Sequence, residues 1–171
     1  YLYNAGANVW SVRERDVNSA EIIVNNDVVA SGYSETGTWT VGSIAGYGGT
    51  YRVATASAIE NATAVFIPNV TQSGLYWVSV RCIAGANRAT DVSFTIIHSG
   101  DTSRVKINQK IHSDTWVYAG QFYFTAGSLN KIILSNQSLE AGQAIIADAV
   151  RLGGGIGAQA DCVNTSQGFS N

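Results

Sequence analysis

The sequence is poor in charge, proline, methionine and cysteine: among 171 residues, 13% are charged, and there are one proline, two cysteines and no methionine. The net charge of −2 argues against a nucleic-acid partner, which needs a clustered basic surface. No apolar run approaches the roughly 18 residues of a membrane helix. No secretory signal is recognisable either, so we expect a mature or excised segment.

Two cysteines cannot build a disulfide framework, so Cys82 is predicted to be a buried free thiol, with a Cys82–Cys162 bridge as the alternative.

Glycine and aromatic residues are abundant instead, with 18 glycines, four tryptophans, eight tyrosines and five phenylalanines. This composition favours a β-rich protein of the extracellular type. The stretch 74–100 has the strongest pattern, because apolar and polar residues alternate in Leu75–Ile83 and again in Asp91–His98. The connector Ala84–Thr90 contains Gly85 and Asn87, so the pattern predicts two long strands joined as a hairpin.

Similar alternation recurs at intervals of roughly 8–12 residues, which predicts about nine strands and an all-β, antiparallel, jelly-roll-like β-sandwich. The other predicted strands are Glu21–Val24, Thr38–Val41, Tyr51–Ala54, Ala62–Ile67, Ser103–Asn108, Thr115–Phe124, Lys131–Ser135 and Ala144–Leu152. Residues 31–50 are predicted to form a long surface excursion. The domain prediction is an N-terminal stub at 1–16, the sandwich at 17–153 and a glycine-rich polar tail at 154–171.

The N-terminal stub allows two interpretations. Tyr1–Asn4 is either the end of a helix, followed by a strand at Asn8–Val12, or an ordinary N-terminal β-strand.

No catalytic motif is recognisable. His98 and His112 lack metal-ligand spacing, so each is predicted to be a strand-end or turn residue, and no catalytic residue, metal or cofactor is predicted. Asp148 is an acid on an apolar face and needs a cationic partner or several hydrogen bonds. The candidate partners are Arg88, Arg52 and Arg151. We expect Asp148 and Arg151 to be structural, with Arg88 bracing Asp148 and a ligand or calcium role for Asp148 as the alternative.

Aromatic residues in the excursion provide the best functional signal. Trp39, Tyr47 and Tyr51 are the candidate sugar-stacking rings, because sugar rings have apolar faces and hydroxyl edges. Asn87 and Arg88 are the candidate polar ligands. By contrast, Trp77 and Trp116 lie on regular strands and are expected to pack in the core.

Four Asn-x-Ser/Thr sequons are possible glycosylation sites in a secretory context. They are Asn61, Asn69, Asn136 and Asn164.

Residues 21–153 resemble the golvesin C-terminal-like domain, also described as the carbohydrate-binding-like domain of golvesin and xanthan lyase. The resemblance is carried by GYGGTYRVA (Gly46–Ala54), the GxNRAT element (Gly85–Thr90), the histidine-glycine strand end and the ADAVR element (Ala147–Arg151). It implies a non-catalytic β-sandwich accessory module of a secreted or cell-envelope protein. Its implied partner is a polysaccharide or the glycan of peptidoglycan.

The flanks carry a second resemblance, since NAGANVWSVRERD (Asn4–Asp16) looks like the helix end plus strand of zinc-dependent N-acetylmuramoyl-L-alanine amidases. It implies an inserted module whose host's zinc ligands lie outside this chain. A third hypothesis is a structural module that assembles through its N-terminal strand and sheet edges.

Overall fold

A computed structural model of the chain describes residues 2–4, 9–11, 20–28, 32–42, 46–127, 129–154 and 158–159. These residues form strands, turns and loops without a helix. The strands are β1 (Leu2–Asn4), β2 (Val9–Ser11), β3 (Ile22–Asn25), β4 (Tyr33–Thr36), β5 (Thr40–Val41), β6 (Arg52–Thr55), β7 (Thr63–Phe66), β8 (Gly74–Cys82), β9 (Val92–His98), β10 (Asp101–Ile107), β11 (Thr115–Phe124), β12 (Lys131–Ser135), β13 (Ala144–Ala147), β14 (Ala149–Leu152) and β15 (Ala158–Gln159).

Two five-stranded sheets build the sandwich. Sheet I has the order β10-β9-β12-β7-β4, and sheet II has the order β15-β11-β8-β14-β3. The pairs are antiparallel except β11–β15, which is parallel. A small sheet β13-β6-β5 and the pair β1-β2 lie outside these two sheets.

A single large core joins the inner faces of the two sheets. Phe94, Ile96 and Leu134 of sheet I pack in one buried cluster with Val78 and Phe124 of sheet II. Removing this apolar area from water is the main favourable contribution to folding. The predicted all-β, antiparallel β-sandwich is therefore confirmed.

The predicted hairpin of β8 and β9 is wrong, because β8 belongs to sheet II and β9 to sheet I. The connector between them crosses the end of the sandwich, and the backbone N–H of Ala89 donates to the carbonyl of Ala144 across 3.1 Å. The hairpin is instead β9–β10, whose two turn residues, Ser99 and Gly100, have φ values of 48° and 86°. Positive φ values at both turn residues give the backbone a twist that matches the twist of the two paired strands.

A β-bulge between Tyr118 and Gly120 changes which face of β11 points inward. Val117 is buried before the bulge and Phe124 after it, although strict alternation would place them on opposite faces. Trp116 consequently lies on the outer face of sheet II, half-buried, and its predicted core position is wrong. The same sequence pattern without the extra residue would have placed Trp116 inside.

Asp148 divides the predicted strand Ala144–Leu152 into β13 and β14, which belong to different sheets. The carbonyl of Asp148 accepts a hydrogen bond from the Asn26 N–H at 3.2 Å instead of continuing a ladder. Every residue from 145 to 152 is buried, including the charged residues Asp148 and Arg151, so burial continues across the break.

The flanks and the excursion contain further strands. Residues 2–4 pair with residues 9–11, so the strand interpretation of the N-terminus is confirmed and the helix-end interpretation is wrong. Residues 33–36 form an unpredicted edge strand of sheet I, and residues 158–159, which lie in the predicted glycine-rich polar tail, pair with β11. The other tail residues from 155 onward, including Cys162 and Asn164, lie outside the described residues.

Asn136 is buried and ties three chain segments together, so its predicted glycosylation is wrong for the folded chain. Its Oδ1 accepts the N–H groups of Asn61 and Ala62 at 3.0 and 2.9 Å. Its Nδ2 donates to the carbonyl of Thr55 at 2.9 Å and to Oδ1 of Asn61 at 2.6 Å. Asn61 and Asn69 are exposed.

Replacing this buried amide should destabilise the fold. We expect Asn136→Ala to lower the free energy of unfolding by about 2–4 kcal/mol, because buried donors and acceptors lose their partners. Asn69→Ala, at an exposed sequon, should change it by less than about 0.5 kcal/mol. Urea unfolding of the two variants measures the difference, and equal effects would contradict this role for Asn136.

Candidate functional site

The structure does not bring the predicted sugar-binding residues together on one surface. Trp39 and Tyr51 are 8% and 7% exposed, so the expectation that their rings form an open platform is wrong. The Trp39 indole N–H donates to the carbonyl of Thr36 at 3.0 Å. The Tyr51 ring packs in a small buried cluster with Cys82 and Ile146. Burial raises the pKa of the Cys82 thiol to about 12, so the predicted buried free thiol stays protonated at neutral pH.

Asn87 and Arg88 lie on the connector after β8. Asn87 is exposed, and its Oδ1 accepts from Nη1 of Arg88 at 2.7 Å. The Arg88 guanidinium also donates through Nε to the carbonyl of Ile83 at 3.2 Å and lies 6.0 Å from the Tyr51 ring centre. It therefore braces its own connector.

Tyr47 belongs to a stack of rings and guanidinium groups on sheet II. Its ring centre is 5.3 Å from that of Trp116. Arg81 lies 5.2 Å from the Tyr47 ring, and Arg151 lies 4.8 Å from the Trp116 ring. Planar cations held against aromatic faces are stabilising contacts.

Asp148 pairs with Arg81, and the expected brace by Arg88 is wrong. Asp148 is 1% exposed, and its Oδ2 lies 3.8 Å from Nε of Arg81. The other two candidate partners bind elsewhere, since Arg52 pairs with Glu35 and Arg151 with Glu21. The alternation of β8 places Arg81 on the outer face of that strand. The pairing of β14 with β8 puts Ala149, the residue after Asp148, opposite Arg81. The sequence alone does not show this pairing.

The Asp148 carboxylate also holds the turn at residues 46–50. Its Oδ1 accepts the backbone N–H of Tyr47 at 2.8 Å. Burial raises the pKa of Asp148 to about 6, although the Tyr47 N–H and the Arg81 charge both act to lower it. Asn25 holds the same turn, because its Nδ2 donates to the carbonyl of Tyr47 at 2.6 Å.

The other side of this turn forms one wall of a polar surface groove with a volume of about 380 Å³. The groove is lined by Asn26, Asp27, Tyr33, Ser34, Glu35, Val41, Thr50 and Arg52. We call it the β4 groove, after the strand that supplies Tyr33, Ser34 and Glu35. Five of its eight lining residues belong to the excursion at 31–50, but none of the eight is among the residues predicted to bind sugar.

A fixed set of charged and hydroxyl groups lies on the β4-strand side of the groove. Arg52 binds Glu35 through two parallel bonds, Nε to Oε1 at 2.6 Å and Nη2 to Oε2 at 3.0 Å. Nη2 also donates to the carbonyl of Trp39 at 3.3 Å. The Tyr33 hydroxyl donates to Oε1 of Glu35 at 2.7 Å. Burial, followed by this hydrogen bond, raises the Tyr33 pKa, so the phenol remains a donor.

Asp27 and Thr50 form the other side. The Asp27 carboxylate accepts both the backbone N–H of Thr50, at 2.6 Å, and the Thr50 hydroxyl. The Asn26 amide donates to the same hydroxyl at 3.1 Å. Asp148 and Asp27 therefore hold the two ends of the 46–50 turn, and the groove wall is preorganised.

The groove offers hydrogen-bonding groups around one exposed aliphatic side chain. Val41 is 63% exposed, and the charged lining groups are two carboxylates and one guanidinium. Both carboxylates are engaged by neighbouring donors, which hold them in place. Among the described residues, no group of three or more His, Cys, Asp or Glu side chains could hold a metal ion, and no helix could span a membrane.

The fold is the first feature that this chain shares with proteins of known structure. The chain superposes on CBM35 from Cellvibrio japonicus Abf62 with a TM-score of 0.56 and 19% identity, covering 84% of this chain and 99% of that one. A family 35 carbohydrate binding module from Clostridium thermocellum gives a TM-score of 0.53 at 18% identity, covering 77% and 97%. At these identities the likeness establishes a shared β-sandwich fold.

The family is also established, because the model of the Golvesin C-terminal domain family matches residues 22–154, and the chain belongs to that family. Xanthan lyase from Bacillus sp. (strain GL1) is 29% identical over 133 residues, which are 76% of this chain and 14% of the lyase. The structure of Paenibacillus xanthan lyase matches with a TM-score of 0.71 and 32% identity, covering 78% of this chain and 13% of that one. The chain thus spans about a seventh of the lyases that it matches.

Asp148 should leave a signature in the pH dependence of stability. Its folded-state pKa of about 6 exceeds its unfolded value, so the folded protein binds more protons between about pH 4 and pH 6 and loses stability as the pH rises. The free energy of unfolding of the wild type minus that of Asp148→Asn should fall by on the order of 2 kcal/mol between pH 4 and pH 7. Urea unfolding at both pH values measures this, and a wild-type-minus-variant difference independent of pH would contradict it.

Proposed function

We propose that this domain is a non-catalytic accessory module that binds a polysaccharide through the β4 groove. The family membership and the fold shared with carbohydrate-binding modules support the general class. The observation that carries the proposal is the groove itself, where Asp27, Glu35 and Arg52 are held by short hydrogen bonds beside the exposed Val41. Fixed polar groups around an apolar contact suit a sugar ring, which has hydroxyl edges and C–H faces.

The charges of the groove favour a neutral sugar. Two carboxylates and one guanidinium line it, so an incoming acidic sugar meets a net negative surface. The carboxylate oxygens can accept hydrogen bonds from sugar hydroxyls, and the Tyr33 ring contributes an apolar edge. The groove is open and shallow, so we expect weak binding to a single chain segment, because ordering and desolvation offset much of the contact energy.

A module of this kind would act outside the cell or at the cell envelope, attached to a larger protein. Two other hypotheses from the sequence stay predictions: assembly through the N-terminal strand, and insertion into a zinc-dependent peptidoglycan amidase. The first predicts an oligomer that is lost when residues 1–16 are deleted. The second predicts that binding is to peptidoglycan rather than to soluble plant-type polysaccharides.

The groove can be tested at its exposed apolar residue. We expect Val41→Asp to lower the affinity for a bound neutral polysaccharide at least about tenfold, because a carboxylate would displace the sugar's apolar face. Affinity electrophoresis against a panel of neutral glucans, xylans and galactans, with insoluble peptidoglycan in pull-downs, provides the measurement.

Ile59→Asp is the matched control, since Ile59 is 77% exposed and is not a groove residue. It introduces the same charge and should bind like the wild type. If no polymer in the panel retards the wild type, or if Val41→Asp binds as well as Ile59→Asp, the groove is not the binding site.

A further inference from the structure

Sheet I has a second distinctive surface on the side opposite the core. Its inward residues, such as Phe94, Ile96, Ile132 and Leu134, are buried. The alternate residues of β10, β9, β12 and β7 therefore point outward. These are Thr102, Arg104 and Lys106 on β10, Ser93, Thr95 and Ile97 on β9, Lys131 and Ile133 on β12, and Thr63 and Val65 on β7. We call this surface the outer face of sheet I.

This outer face carries positive charge only. Arg104, Lys106 and Lys131 are its ionisable side chains, and none of its outward strand positions holds a carboxylate. Among the described residues, Arg104 and Lys131 take part in no ion pair within 4.0 Å. Lys106 is 52% exposed and lies 3.9 Å from Asp91, just before β9. The outer face of sheet I is therefore locally cationic, on a chain whose net charge is −2.

The cations are spaced for an extended ligand. The strand register pairs Arg104 with Thr95, which in turn pairs with Ile133. It pairs Lys131 with Ile97, two residues further along β9. With strands about 4.8 Å apart and a rise of about 3.3 Å per residue, Arg104 and Lys131 stand roughly 12 Å apart across the sheet. The surface between them holds the Thr95 hydroxyl and the aliphatic side chains of Ile97 and Ile133.

We propose that the outer face of sheet I binds an acidic polysaccharide, at a site separate from the β4 groove. Arg104, Lys131 and Lys106 would pair with carboxylates along the polymer. Threonine and serine hydroxyls between them would bond to sugar hydroxyls, and Ile97 and Ile133 would contact the C–H faces. Charge complementarity selects this ligand, because the groove is net negative and the outer face is positive.

The test uses polygalacturonate and its fully methyl-esterified form, which share a backbone but differ in charge. Affinity electrophoresis should show wild-type binding to the acidic polymer, weaker binding as salt rises, and little binding to the ester. The double variant Arg104→Gln with Lys131→Gln should bind the acidic polymer about tenfold more weakly, since each exposed ion pair contributes modestly. Both positions lie on the outer surface, and thermal unfolding checks that the fold is kept.

The matched control is Lys110→Gln with Ile59→Glu, which lowers the net charge by the same two units away from the outer face and should keep wild-type binding. Val41→Asp should also keep it, which separates this site from the groove. The proposal is overturned if the acidic polymer does not bind, if ester and acid bind equally, or if the two double variants bind alike. Binding to vesicles of anionic phospholipid but not to polygalacturonate would also overturn it, in favour of a lipid surface.

Discussion

The buried carboxylate of Asp148 is the interaction on which the arrangement around the β4 groove depends. It lies where the chain leaves the small sheet at β13 and enters sheet II at β14. One oxygen accepts the Tyr47 N–H, and the other lies near Arg81. A buried charge is costly unless it is paired and hydrogen-bonded, so these contacts must form together. They fix the 46–50 turn against sheet II.

The turn transmits this constraint to the groove. Its far end, Thr50, is bound by Asp27, while Asn25 holds the same end as Asp148 through the carbonyl of Tyr47. The groove is thereby shaped before any ligand arrives, which reduces the ordering cost of binding. The cationic outer face of sheet I belongs to a regular, paired sheet and needs no such brace. The two surfaces carry opposite charges, which is why we propose chemically different glycans for them.

Much of the fold could be predicted because period-two alternation marks strands directly, and the bounds Thr115–Phe124 and Lys131–Ser135 agree with the structure. Sheet membership could not be predicted, because β8 and β9 have the same pattern whether they pair or face each other across the core. The bulge in β11 reversed the face of Trp116 for a similar reason. The residues of the candidate site were harder to predict than the strands. The partner of Asp148 depends on strand register, which the sequence does not show. The number of aromatic residues in the excursion did not reveal that Trp39 and Tyr51 are buried.

The central claim is that the carboxylate of Asp148 holds the turn that walls the groove. Amide hydrogen exchange of Tyr47, followed by NMR at neutral pH, tests it most directly. The account predicts strong protection of this N–H in the wild type, and exchange at least about tenfold faster in Asp148→Ala, while the amides of β9 and β12 keep their protection. Rapid exchange of the Tyr47 amide in the wild type, or equal protection in the variant, would contradict it.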